Sequence, residues 1–192
     1  MKLRNRKTTL AALLVTAAFS TFTALAADEL ESESRQAVAS FQQKDPGLKT
    51  FFDQAAGYAI FPSVGKGGFI VGGAHGKGLV YEKGTITGKA SMSQASVGAQ
   101  VGGQSFSEII FFENAAALDD FKAGKFEMSA GISAVVAAEG ASQTAKYTKG
   151  VAVFALPKKG LMAEASVGGQ KFKFEPSAAG KPGTSQGTET TK

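Results

Sequence analysis

The 192-residue chain contains no cysteine, and that absence removes several possibilities at once. No disulfide can staple the fold and no lipidated cysteine can anchor it, so stability has to come from packing alone. Histidine is reduced to one residue, His75, and with no thiolate to join it a transition-metal site is not expected. The apolar stretch from Leu10 to Phe19 is shorter than the ~20 residues that span a bilayer. Phosphate-loop spacing is missing as well. Gly76-Lys77 is followed by Gly78, and Gly84 to Lys89 is one residue too short and runs on into Ala90, where G-x-x-x-x-G-K-[ST] needs a hydroxyl for the metal. No serine sits in a G-x-S-x-G elbow, so His75 has no nucleophile to activate. Paired Asp119-Asp120 falls on a helical pattern and reads as a solvated face. These absences argue against an enzyme, a cofactor site or a metal site.

What is present begins with a targeting signal. Residues 1–26 combine a basic start (Lys2, Arg4, Arg6, Lys7), an apolar middle and Ala24-Leu25-Ala26, the pattern of a cleaved secretory signal peptide. An uncleaved membrane anchor is the alternative. Removing four of the 21 basic residues leaves 17 against 16 acidic ones, so the high isoelectric point belongs mostly to the discarded segment. No global field then draws the remainder to nucleic acid, and any anion binding must rest on local clusters. The basic leader looks bacterial, which makes a periplasmic or secreted location the expectation.

The periodicity predicts an amphipathic helix within residues 27–47, acidic in its first turn, with Leu30, Ala37, Val38 and Phe41 on one face and a stop at Asp45-Pro46-Gly47. A second short helix is expected over Leu48–Ala56. From Tyr58 onward short, often alternating apolar runs are broken by glycine every few residues, which predicts short strands joined by tight turns. Asn114 caps a brief helix to Lys122, and strand texture returns in KFEMSAGISAVVAA and beyond. The order of elements predicts an α+β fold: short N-terminal helices, then a glycine-rich, mainly antiparallel sheet, barrel-like or sandwich-like, with one inserted helix. The near-repeat of residues 95–100 at 165–170 fits equivalent strands of such a barrel, or coincidence in an Ala/Gly/Ser-rich chain. The folded unit is expected over 48–175 and a disordered Gly/Ser/Thr/Pro-rich tail over 176–192.

Lysines stand at the apparent turns, Lys66, Lys77, Lys83 and Lys89, and Lys66, Lys77 and Lys83, with His75 beside them, are the candidate ligand-binding residues. They would present cations and exposed N–H groups to lipid headgroups, while the apolar face of the first helix could lie in a membrane interface. The plain alternative is that they are charged turns keeping a small β protein soluble.

The stretch AAGYAIFPSVGKGGFIVGGAHGKGLVYEKG, Ala55–Gly84, resembles the opening signature of the SYLF family, and the resemblance extends to about Phe174. KGVAVFALPKKGLMAEASVGGQKF is similar to that family's terminal hairpin. Eukaryotic members, related to yeast actin-patch proteins, associate with phosphoinositide membranes through a basic N-terminal segment and with actin at endocytic sites; bacterial members are small exported proteins. Here the first helix is acidic and no partner domain is attached. The resemblance therefore implies lipid or membrane-surface binding, with actin binding only as a family label. A structural or stress-related envelope protein acting through protein contacts is the other reading.

Overall fold

The computed structural model describes residues 28–67, 71–97, 104–126, 128, 132–159 and 169–177. The expected signal peptide and most of the expected tail lie outside these residues.

Helix α1 spans 28–44 and turns Leu30, Ala37, Val38 and Phe41 to one side. It ends where Pro46 would clash with a continuing helix. Asp45 then caps a 3-10 turn, Pro46–Leu48, by accepting a hydrogen bond from Gly47 N at 3.1 Å, and α2 follows over Lys49–Gln54. Three long strands come next: β1 (Gly57–Gly67), β2 (Val71–Glu82) and β3 (Thr85–Val97). After β4 (Gln104–Phe112), Asn114 caps α3 (Ala115–Lys122), its side chain accepting from Ala117 N. The chain closes with β5 (Val135–Val136), the single-turn α4 (Ala141–Thr144), β6 (Val151–Lys159) and β7 (Gln170–Pro176).

These strands form one sheet in the order β5-β6-β4-β1-β2-β3-β7, antiparallel except for β5 against β6. The α+β class is as expected, but the barrel or sandwich is not. The sheet is open at β5 and β7, and helical layers rather than a second sheet cover it. Helices α1 and α2 pack on one face around Phe41, Ile60, Ile109, Phe111 and Phe154; α3 and the segment after it pack on the other around Phe61, Ile110, Phe112, Phe121 and Phe172. Strands buried on both sides need continuous apolar runs, which is why the centre reads YAIF and EIIFF without alternation. The open edges are blunted by a two-residue β5 and by lysines and a terminal proline on β7.

Four further expectations change. The GKG and HGKG glycines do not mark frequent turns but lie inside strands of 11 to 13 residues. Gly78 is one reason: a Cβ there would stand 2.4 Å from Ile60 O and 2.7 Å from the Phe61 ring, so only glycine lets that ring lie across β2. Of the stretch 125–138, the described residues keep only the two-residue β5 as strand. Among the described residues β6 and β7 do not pair as the expected terminal hairpin: β6 pairs with β4 while β7 pairs with β3. The apolar face of α1 is spent on the protein's own core, not left for a membrane. Of the repeated hexapeptides, most of the second copy lies outside the described residues.

Pro62 breaks the rule against proline in a central strand by sitting at a register shift, where β1 bulges between Ile60 and Ser63 against β2. Ser107 Oγ donates to the Pro62 carbonyl at 2.7 Å, so the irregular backbone stays satisfied.

Candidate functional site

Helix α1 covers only part of its face of the sheet, and beyond it the strands β2, β3 and β7 are open to solvent. Antiparallel register sets residues of neighbouring strands side by side. His75 pairs with Ser93, and Ser93 with Lys171; Ser63 pairs with Lys77, Lys77 with Ser91, and Ser91 with Lys173. A third row runs Leu79, Lys89, Glu175. Leu79 belongs to the core under α1, so all three rows share that face. Apart from Leu79, every residue of these rows is exposed. Five nitrogen-bearing side chains and three hydroxyls thus stand on one floor with a single carboxylate, Glu175.

Glu175 is already occupied. Lys173 Nζ lies 2.8 Å from Glu175 Oε1. That hydrogen bond, more than the charge attraction accompanying it, holds the Glu175 carboxyl below and the Lys173 ammonium above their ordinary values, and Lys89 adds a smaller pull on the carboxyl. Where α1 overhangs the floor, Glu29, Leu30 and Glu33 form the wall of a cleft of about 760 Å³ that also includes His75, Lys77, Lys89 and Ser91. The site is therefore a basic floor with an acidic wall, and an anion meets the least opposition on the strip away from the helix.

Two of the four residues singled out from sequence, His75 and Lys77, are brought together here. Both lie mid-strand in β2 rather than at a turn. Lys83 does not join them. It sits with positive φ in the Lys83-Gly84 turn at the other end of β2, about 20 Å along the strand from Lys77. Lys66 pairs in the ladder with Ala74 and Gln104, and its side chain lies outside the described residues. Lys171 and Lys173 were missed, and Lys89 counted only as a turn lysine, not as a candidate contact. The alternations K-A-S-M-S in β3 and K-F-K-F in β7 carried the signal that they share an outward face, but not which strands would be neighbours. Among the described residues no group of three His, Asp or Glu side chains could hold a metal ion, and no helix is long and apolar enough to cross a membrane.

An open, mainly antiparallel α+β sheet with helices on both faces and an exposed cationic floor: that is the class of domain this geometry defines. Residues 93–181 match the family Ysc84, described as Las17-binding protein actin regulator, consistent with the SYLF family. Beta cell expansion factor A of Aeromonas veronii is similar at 33% identity over 132 residues, 67% of this chain and 49% of that protein. The chain spans about half the length of this curated relative. The role of that family is lipid- or actin-related.

Proposed function

We propose that the mature chain is a non-enzymatic exported protein that binds anionic lipid headgroups at a membrane surface through the exposed face of β2, β3 and β7. The observation that carries this reading is the three-row array in which His75, Lys77, Lys89, Lys171 and Lys173 alternate with Ser63, Ser91 and Ser93. Ammonium groups and hydroxyls are donors to phosphate oxygens, and an exposed sheet face meets a membrane surface without having to open. The lipid side of the family's role agrees with it. Residues 27–192 are expected to sediment with phosphatidylinositol-rich vesicles and not with phosphatidylcholine vesicles, and to be released by salt. Absence from both pellets would sink the reading. Recovery of an envelope protein by cross-linking in cells, with no vesicle binding, would favour a protein-contact role.

A further inference from the structure

Strand β4 carries a single carboxylate, Glu108, and it lies in the core. It shares the face of Phe106 and Ile110, its ladder neighbours are Phe61 and Ala155, and it is 0% exposed. Gln170, the first residue of β7, is equally buried, and its Nε2 donates to Glu108 Oε2 at 2.9 Å. The second oxygens of both groups, Glu108 Oε1 and Gln170 Oε1, are buried without a hydrogen-bond partner. Two buried acceptors with no donor are a costly arrangement, and one proton shared between them would relieve it. A neutral acid can donate from Oε1 to the amide carbonyl while the amide N–H donates to Oε2, closing an acid–amide pair.

The surroundings favour that neutral form. Burial, the larger influence, pushes the Glu108 carboxyl up from 4.5 to about 7, and the Gln170 bond opposes it. No charged neighbour takes part. On the elements packed against this face, Lys122 is paired with Glu82 and Lys173 with Glu175, while Asp119, Asp120, Lys125, Lys89, Lys171 and Lys158 are exposed. The titratable groups of β2 beside the array, His75 and Lys77, point to the opposite face.

We propose that Glu108 and Gln170 form a proton-dependent clamp: the neutral acid fastens edge strand β7 across the sheet to β4, and loss of the proton to solvent weakens that fastening. Among the described residues β3 is the one ladder neighbour of β7, and Gln170 adds a polar tie to β4 beside the packing of Phe172 on Phe61, helped by Met128 N donating to Gln170 O at 3.2 Å. The same strand supplies Lys171 and Lys173. If the lipid-surface reading holds, the clamp also governs two of its cations.

The test needs no lipid, so its failure is separate from failure of that reading. Carbon-13 NMR of the Glu108 side-chain carboxyl in the wild-type protein is expected to titrate near neutrality; a midpoint in the ordinary carboxylate range overturns the proposal whatever any variant does. Amide hydrogen exchange across β7, corrected for intrinsic rates, should show opening that rises about tenfold per pH unit from about pH 5 to about pH 7 and then levels off. In Glu108→Gln, whose amide can pair with Gln170 at any pH, β7 opening should be flat over that range. A Glu108→Gln profile parallel to wild type would equally overturn the clamp.

Discussion

Replacing Gly78 by alanine tests whether the glycines of the Ala55–Gly84 signature are packing devices. The new Cβ would lie 2.4 Å from Ile60 O and 2.7 and 3.0 Å from two atoms of the Phe61 ring, where ordinary contact begins at 3.4 Å. The carbonyl belongs to the neighbouring strand and cannot swing away, so β1 and β2 must part locally by about 1 Å or Phe61 must leave its place. Overpacking of this kind costs about 1–3 kcal/mol. At about 2–4 °C per kcal/mol for a chain of this size, the melting temperature should fall by about 2–12 °C. Gly65 is the internal control: a Cβ there meets nothing within 4 Å, its φ is not positive and it is exposed. Gly65→Ala should therefore stay within about 0.5 kcal/mol of wild type. Thermal unfolding followed by circular dichroism reads both. Equal melting temperatures for Gly78→Ala and wild type, or an equal loss in Gly65→Ala, would refute this account.

Three other outcomes are expected. Because the Glu108 carboxyl is raised in the fold from 4.5 to about 7, its contribution is fully present below about pH 4.5 and lost as pH rises through about 7. At about 1.4 kcal/mol per pH unit this amounts to about 3 kcal/mol, read as the difference between wild-type and Glu108→Gln urea-unfolding profiles; a pH-independent difference contradicts it. Asp45, 1% exposed, accepts from Ser142 N at 2.6 Å, Ser142 Oγ at 2.9 Å and Gly47 N at 3.1 Å, so Asp45→Ala should destabilise by about 2–5 kcal/mol in urea titration, and a loss below about 1 kcal/mol would show that these bonds matter little. Lys77→Gln and Lys89→Gln should each weaken binding to anionic vesicles about fivefold, the equivalent of about 1 kcal/mol per lysine, whereas Lys83→Gln should leave it unchanged; an equal effect at Lys83 would point to bulk charge instead of the array.

Local rules made much of this protein legible in advance. The 3.6-residue spacing of Leu30, Ala37 and Phe41, the Pro46 stop and the Asn114 cap depend on nearby residues alone, and the helices appear where those signals lie. The glycines misled because a turn glycine and a glycine under an aromatic ring look alike in sequence. What distinguishes Gly78 is Phe61, seventeen positions away and on another strand. The candidate site was half visible for the same reason. His75 and Lys77 share one strand and could be named together, but Lys171 and Lys173 become their neighbours only because β7 crosses to the edge beside β3 rather than pairing with β6. The buried acid was invisible altogether, since Glu108 and Gln170 are 62 residues apart and a glutamate in EIIFF gives no sign of which way it faces. The sequence by itself determined the first helices and α3, the α+β class and the family signature, all properties of short range. Strand neighbourhood, the open sheet and the cationic floor were decided by the tertiary structure, because register joins residues whose proximity no local pattern encodes.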